Sequence, residues 1–277
     1  MLKDLVTVTC LMDLEYMILQ AESIQKYLEP CTHWIIVNEL VNDDLIIWKN
    51  ALQKYYTKHE LKLIKQSDLF DNQLDENGMC ILGGGTYTQQ VCKLEIAKLI
   101  KNDYLILDSK NFFVKETSIS EWDSVMGCNY YINNTDYDWQ ETIKIYCEKL
   151  DINVPNIVMA PQTPYKIKIT ENLLNTVYKD FIKVDKSSSE FILYYLTNIK
   201  EFTDVPLEPI KFFIYFYHFF DDLKYNLSDT LQELDSNLNF KVSGFHRKFI
   251  NRCDPNHIST INKWLRQKKF QFQFKVK

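Results

Sequence analysis

The chain has 277 residues, a net charge of −5 and 46% hydrophobic residues, which is typical of a soluble globular protein. Only three of the 32 basic residues are arginine, and the acidic excess disfavours a general nucleic-acid binder, which needs cations to meet phosphates. The seven cysteines are odd in number and have no C-x-x-C spacing, so neither a disulfide framework nor a zinc knuckle is indicated. Acidic residues interrupt the apolar N-terminal stretch, which disfavours a signal peptide. We therefore expect a cytoplasmic protein in a reducing compartment.

The first half of the chain alternates predicted strands with predicted helices. Buried-strand patterns cover 5–11, 33–39, 61–69 and 104–108. Helical periodicity covers 13–28, 43–56 and 88–101. This alternation predicts an α/β fold with a mostly parallel sheet flanked by helices. Ligands of such sheets bind beyond the carboxyl ends of the strands.

Four polar residues follow the fourth predicted strand, and they are Asp108, Ser109, Lys110 and Asn111. Their composition is typical of a β-turn. A carboxylate at a strand end, followed two residues later by a second polar group, is also the geometry that holds a nucleotide-sugar diphosphate. That second group is usually acidic and shares a divalent metal with the first. Lys110 stands there in this chain and would place positive charge beside the phosphates.

Three glycines precede the helix predicted at 88–101, with Gln89, Gln90 and Lys93 expected in its first turns. Glycine lets the backbone approach a ligand closely, and a helix N-terminus favours anions. The stretch matches neither the dinucleotide-binding pattern nor the P-loop pattern. A loop that simply precedes a core helix is the alternative interpretation.

The second half of the chain gives weaker patterns. Residues 153–169 indicate loop and short strand, Thr170 caps a predicted helix, and the serines at 187–189 open another. The aromatic run 212–220 fits a strand or a buried helix and is too short to cross a bilayer, which takes roughly 20 residues. We interpret this run first as a core segment; with Trp264 and the Lys-rich tail, it is also a candidate for a peripheral membrane contact.

The block 83–116, GGGTYTQQVCKLEIAKLIKNDYLILDSKNFFVKE, resembles the central block of a family of GT-A-type glycosyltransferase-like proteins from bacteria and large viruses. The family pattern G-x-x-x-Q-Q-x-x-K-L falls on 85–94, and Y-L-x-L-D-[SA]-[DK]-x-x-F falls on 104–113. Weaker similar segments follow in the family's order, and they are the first strand with Asp13, T-P-Y at 163–165, S-E-F-x-L-Y at 189–194 and G-[IF]-H-R at 244–247.

The resemblance implies one GT-A-like domain over 1–277, with a nucleotide-binding half at 1–115 and an acceptor-binding half at 116–277. It implies transfer of a sugar from a nucleotide-diphospho-sugar to a hydroxyl of a surface glycan, a polysaccharide or a lipid-linked glycan. A sugar nucleotidyltransferase is the alternative enzyme. A catalytically inactive relative that binds or assembles glycans is the alternative from another class.

The same resemblance implies a set of site residues. Donor binding falls on Asp13, Gly85, Gln89, Gln90, Lys93, Asp108, Ser109, Lys110, Asn111 and Arg247. Acceptor binding falls on Thr163, Pro164, Tyr165 and Glu190. Glu190 is the candidate catalytic base, because an inverting transferase needs a carboxylate to take the acceptor proton. Its place near a helix N-terminus also suits a capping carboxylate, with Ser187 as its partner.

The chain departs from the family at one position that bears on metal binding. Many members carry D-x-D, whereas this chain has Asp108, Ser109 and Lys110. Either Asp108 and His246 hold Mn²⁺ or Mg²⁺, or Lys110 replaces the metal. The resemblance favours a retained metal, because a late histidine is a common additional ligand in GT-A enzymes.

Overall fold

The computed structural model describes residues 3–38, 43–69, 85–122, 130–131, 137–153, 157–158, 164–165, 170, 190–197, 212–215 and 226–276. Its strands are β1 Asp4–Thr9, β2 Thr32–Val37, β3 Glu60–Lys65, β4 Tyr104–Ile106, β5 Asn111–Phe113, β6 Tyr130–Tyr131, β7 Ile157–Val158, β8 Pro164–Tyr165, β9 Phe212–Tyr215 and β10 Val242–Phe245. Its α-helices are α1 Leu14–Tyr27, α2 Asp43–Leu52, α3 Gly85–Glu95, α4 Tyr137–Leu150, α5 Glu190–Thr197, α6 Leu227–Ser236, α7 Arg247–Arg252 and α8 Pro255–Gln267.

The main sheet has the strand order β3-β2-β1-β4-β8. Strands β3, β2, β1 and β4 are parallel, and β8 closes the sheet as an antiparallel edge strand. Val6 in the middle of β1 lies between Trp34 of β2 and Ile106 of β4. The predicted fold class, a mostly parallel mixed sheet flanked by helices, is confirmed.

Strand β1 is buried along its whole length because helices cover both faces of the sheet. On one face Leu5 packs in a core with Met17 of α1 and Trp48 of α2. On the other face Val6 packs in a core with Leu94 of α3. Covering on both sides explains why the strand sequences are nearly continuous apolar runs rather than alternating ones.

A second sheet, in the order β5-β10-β9, extends the fold beyond β4. Strand β10 is antiparallel to β5 and parallel to β9. A third hydrophobic core packs against this sheet and contains Phe112, Phe245 and Trp264, of which Trp264 is only 4% exposed. The start of the aromatic run, Phe212–Tyr215, forms strand β9. Trp264 is buried in this core and so is not available to a membrane surface.

Several predicted boundaries move by a few residues. The third helix was expected at 88–101, but it begins at Gly85, ends at Glu95 and continues as a 3₁₀ turn to Lys98. Lys93 consequently lies in the last turn of α3, and the prediction that it lies in the first turns is wrong. Thr170 is helical and buried, while the rest of that predicted helix lies outside the described residues. Across the described ranges, no helix is long and apolar enough to cross a membrane.

The connectivity of the main sheet determines where a ligand can bind. From β1 the chain proceeds outward through β2 and β3, and it then returns to the opposite side of β1 as β4. The point where strand order reverses in this way leaves a crevice at the carboxyl ends of the two strands. Asp13 follows β1 and the segment 108–111 follows β4, so both predicted donor-binding segments meet at that crevice.

Candidate functional site

A buried carboxylate, that of Asp13, joins three segments at the crevice. Asp13 ends the 3₁₀ turn after β1 and is 1% exposed. Lys110 Nζ lies 2.9 Å from its Oδ2, and Ser109 Oγ donates to the same oxygen at 2.8 Å. Arg247, the first residue of α7, places its Nε 3.1 Å from the Oδ1 atom. Two cations thus share one carboxylate, which leaves this group, called here the Asp13 cluster, with a net positive charge.

A second charged group, called here the Lys93 cluster, lies beside the same turn. Lys93 Nζ is 3.0 Å from Asp108 Oδ1 and 2.7 Å from Glu190 Oε1. Glu190 is the first residue of α5, and its side chain is 3% exposed. The Asp108 side chain is 39% exposed, so within the cluster Asp108 is the carboxylate that a bound molecule reaches most directly.

Burial and pairing set the charge states of the Lys93 cluster. Burial raises the pKa of Glu190 above its usual value, and the neighbouring Lys93 ammonium only partly offsets that effect. Burial would lower the pKa of Lys93, but the carboxylates of Asp108 and Glu190 outweigh it and raise the pKa. Lys93 therefore keeps its charge at neutral pH, and Glu190 is the group in this cluster best suited to accept a proton.

The segment D-S-K-N is both a turn and part of the site. Ser109 and Lys110 form the turn, and Asn111 N donates to the carbonyl of Asp108 at 2.9 Å. The side chain of Gln20, on the buried face of α1, donates through Nε2 to the carbonyl oxygens of Asp108 and Asn111, both at 2.8 Å. The hydrogen bonds from Gln20 therefore fix the backbone from which the turn presents its four polar side chains.

The amide of Gln20 ends a buried chain of hydrogen bonds that crosses the sheet. Because Gln20 Nε2 donates to carbonyls, its Oε1 must accept, and Thr7 Oγ1 donates to it at 3.0 Å. Thr7 Oγ1 in turn accepts from His33 Nε2 at 3.0 Å, and His33 Nδ1 accepts from the Tyr56 hydroxyl at 2.6 Å. Burial, with a smaller effect from His59, lowers the pKa of His33 to about 3, so this histidine is neutral.

At the other end of the turn, Asn111 packs closely against Gly244. Gly244 of β10 pairs with Asn111 of β5. A Cβ atom at position 244 would lie 2.1 Å from Asn111 Oδ1 and 3.0 Å from the carbonyl oxygen of Lys110. Only glycine fits this approach, which accounts physically for the glycine in the G-F-H-R segment.

The remaining predicted residues are placed less centrally. Gly85 begins α3, while Gln89 and Gln90 are partly buried on it. Pro164 and Tyr165 form β8, hydrogen-bonded to β4, and Thr163 lies outside the described residues. His246 accepts from Lys248 N at 3.1 Å as the N-cap of α7. Its pKa is lowered to about 4 by burial and then by the cations Lys110, Lys248 and Arg247.

The side chains at this site give little support to metal binding. Among the residues that the structure describes, no group of three or more His, Cys, Asp or Glu side chains is arranged to hold an ion. Asp108 faces the Lys93 ammonium, and the ammonium of Lys110 occupies the place of a second acid. The charges at this site are therefore unfavourable to a divalent metal, and no contact of the described residues tests the prediction that Asp108 and His246 hold one.

Sequence patterns did not single out the residues that support the turn. Gln20 stands on the apolar stripe of α1, so a polar amide on a core-facing position was the available signal. Thr7 and His33 are polar residues within otherwise apolar strands, which is a similar signal. Such residues need hydrogen-bonding partners once buried, but their identity depends on which segments meet in three dimensions.

Comparison with known proteins supports the fold. No family model matches the sequence, and no curated protein matches it. Mouse xyloside xylosyltransferase 1 superposes with a TM-score of 0.54 at 9% identity, covering 90% of this chain and 99% of that structure. The bifunctional glycosyltransferase WbbM superposes with a TM-score of 0.53 at 13% identity, covering 88% of this chain and 45% of the larger protein. At such identities the likeness shows the fold, and that fold is the GT-A fold of glycosyltransferases.

Proposed function

We propose that the chain is a glycosyltransferase that moves a sugar from a nucleotide-diphospho-sugar to an acceptor hydroxyl. The observation that carries the proposal is the pair of charged clusters where β1 and β4 end, at the point where the strand order reverses. Open α/β sheets bind their ligands at such a point. The GT-A fold supports this class of reaction by analogy, since fold alone does not fix function.

The Asp13 cluster is the proposed site of the donor diphosphate. Lys110 is 20% exposed and Arg247 is 34% exposed at their side chains, so both cations are accessible, whereas Asp13 is buried beneath them. Fixed cations aimed at a leaving diphosphate stabilise the negative charge that develops on it. Asp13 then acts on the donor through the two cations it holds, and Asp108 contacts the donor's sugar or ribose hydroxyls. Gly85, Gln89, Gln90 and Asn111 complete the proposed donor site.

Glu190 is the proposed catalytic base. In the transfer step the acceptor oxygen forms a bond to the anomeric carbon while the bond from that carbon to the diphosphate oxygen breaks. The nucleoside diphosphate leaves with the bonding electron pair, and the acceptor proton passes to the Glu190 carboxylate. The raised pKa of Glu190 suits this role, because a carboxylate with a higher proton affinity is a better base at neutral pH.

The proposed acceptor site lies at the edge strand β8. The edge strand β8, beside β4, consists of Pro164 and Tyr165 and follows Thr163 in the sequence. This position favours an acceptor that approaches from that edge. We propose that the acceptor bound at this edge is a glycan or a lipid-linked glycan. The five cysteines that the structure describes are free thiols, which fits the proposed cytoplasmic location.

The experiment that tests the function is thermal unfolding with UDP-, GDP-, CMP- and dTDP-sugars, followed by a turnover assay with the ligand that binds. A ligand of the native state raises the unfolding midpoint by mass action. We expect one nucleotide-sugar to raise it, and Asp108→Ala to abolish the shift while unfolding at a similar temperature without ligand. Binding without turnover would favour the inactive glycan-binding relative, and release of pyrophosphate from a nucleoside triphosphate would favour the nucleotidyltransferase. A normal turnover rate in Asp108→Ala would show that the site is misplaced.

A further inference from the structure

We propose that the Lys110 ammonium, fixed on Asp13, takes the place of the divalent cation in this site, so that diphosphate binding is independent of metal. The inference rests on the proposed function, since it presumes a diphosphate ligand. Lys110 stands where many members of the resembling family carry the second aspartate of D-x-D.

An ammonium at position 110 preserves the local charge of a D-x-D site with its metal. Two aspartates and one divalent cation are neutral together, and so are one aspartate and one lysine. Replacing the second carboxylate of a D-x-D by an ammonium therefore leaves the same net charge beside the phosphates. Asp108 and Lys110 stand two residues apart on one turn and their charges cancel, although each is paired with another residue, Lys110 with Asp13 and Asp108 with Lys93.

The Lys110 ammonium is held in place, as a metal ion would be. Lys110 Nζ is 2.9 Å from Asp13 Oδ2 and 3.1 Å from Ser109 Oγ. The carboxylate that holds it is 1% exposed, and Gln20 fastens the backbone of the turn on both sides. A side chain fixed before the ligand arrives loses little entropy on binding, which is how a preorganised group gains affinity.

The cations of the chain would repel a divalent ion at this site. Lys93 Nζ lies 3.0 Å from Asp108 Oδ1, and Arg247 Nε lies 3.1 Å from Asp13 Oδ1. An ion placed between these aspartates would lie beside the three cations of Lys93, Lys110 and Arg247. Like charges at such distances repel strongly when they are partly desolvated. The carboxylates that could bind a metal are already occupied by cations of the chain.

The test measures binding of UDP, GDP, CDP and dTDP by calorimetry, once in EDTA and once with Mn²⁺. We expect one diphosphate to bind with the same affinity in both conditions. Lys110→Met should weaken its binding about tenfold or more, as expected for a lost charge-assisted contact to phosphate, while Lys110→Arg should retain most of the affinity. Lys263→Met, which removes an exposed lysine from α8, is the control for a change of net charge alone.

A gain-of-function variant sharpens the test. Lys110→Asp restores the D-x-D pattern, and we expect it to bind the diphosphate only when Mn²⁺ is present. Mn²⁺ alone, followed by its electron paramagnetic resonance signal, should bind Lys110→Asp more tightly than the unaltered chain. Binding of Mn²⁺ to the unaltered chain that is as tight as its binding to Lys110→Asp would contradict the inference.

The outcomes separate this inference from the proposed function. Binding of a diphosphate to the unaltered chain with Mn²⁺ but not with EDTA overturns the inference and leaves the transferase proposal intact. Failure of all four diphosphates in both conditions overturns the proposed function, and the inference with it. Equal binding in EDTA that survives Lys110→Met overturns the role of Lys110 alone.

Discussion

The side-chain amide of Gln20 donates a 2.8 Å hydrogen bond to the main-chain carbonyl of Asp108, 88 residues further along the chain. A second bond of the same length, to the carbonyl of Asn111, makes Gln20 the clamp beneath the D-S-K-N turn. The site is therefore positioned from α1 as well as from the strand that precedes it. This contact leads to the first of five predictions.

Replacing Gln20 should loosen the donor site. Gln20→Leu removes both donated hydrogen bonds; the carbonyl of Asp108 keeps its bond from Asn111 N, but the buried carbonyl of Asn111 loses the Gln20 donor, which costs about 2 kcal/mol in the free energy of unfolding. We also expect the KM for the donor to rise, because Lys110 and Asp108 lose their fixed backbone. Ser23→Ala is the matched control, since Ser23 Oγ accepts from Phe113 N next to the turn without holding it. Equal donor KM values in the two variants would show that Gln20 is purely structural.

Glu190 and Asp108 should affect different kinetic constants. Glu190→Gln keeps an acceptor for Lys93 but removes the proposed base, so we expect kcat to fall about 100-fold or more with the donor KM unchanged. Asp108→Asn should instead raise the donor KM. Steady-state kinetics over a range of donor concentrations distinguishes the two. If Glu190→Gln raises the donor KM and spares kcat, Glu190 serves only to hold Lys93.

Removing Lys93 alone should destabilise the fold more than removing Lys93 together with Glu190. Lys93→Met leaves the buried Glu190 carboxylate without its cation, and breaking a buried pair in this way costs roughly 3–5 kcal/mol. The double variant Lys93→Met/Glu190→Leu should recover much of that loss, because no buried charge remains unpaired. Urea unfolding at pH 7 measures both free energies. A double variant less stable than Lys93→Met would contradict this electrostatic explanation.

Stability should fall with acid because His33 is buried in its neutral form. Its pKa is about 3 in the fold and 6.5 as the usual value, so the unfolded chain binds more protons between these limits. The free energy of unfolding should therefore decrease as pH falls from 6.5 towards 3, by at most about 1.4 kcal/mol per pH unit for this group. Protonation would also place a hydrogen on Nδ1, against the donating hydroxyl of Tyr56.

Urea unfolding between pH 4 and pH 7.5 tests this dependence. His33→Leu should be less stable at pH 7, because the Tyr56 hydroxyl loses its acceptor, yet its stability should vary less with pH. His59 and His246, each with a pKa lowered to about 4, contribute in the same direction and are unchanged in the variant. The same slope in both proteins would exclude His33 as a source of the acid sensitivity.

Gly244 should not tolerate a side chain. Gly244→Ala places a methyl group 2.1 Å from Asn111 Oδ1, and relieving that overlap should cost about 1–3 kcal/mol in the free energy of unfolding. Because the backbone of Lys110 lies 3.0 Å from the same point, the turn should shift and donor affinity should fall. Gly244→Ala/Asn111→Ala removes the closer contact and should regain part of the stability. No difference between the single and double variants would refute the steric argument.

The sequence by itself determined the strands and helices of the first half and the placement of D-S-K-N after a buried strand. These features depend on local periodicity and turn composition, which a linear pattern records. It also indicated that Asp13, Lys110 and Arg247 belong to one site. Their charges suit a diphosphate, but their spacing along the chain is no guide to which of them touch.

Tertiary structure decided the pairing of these charges and the support beneath them. Asp13 is buried under two cations, Lys93 joins Asp108 to Glu190, and Gln20 holds the turn from α1. Lys93 enters this cluster from the last turn of α3, which begins at Gly85. Each contact joins segments that are far apart in the chain, and the strand order β3-β2-β1-β4 brings them to one edge of the sheet. Such proximity is set by packing of both sheet faces, which no local pattern encodes.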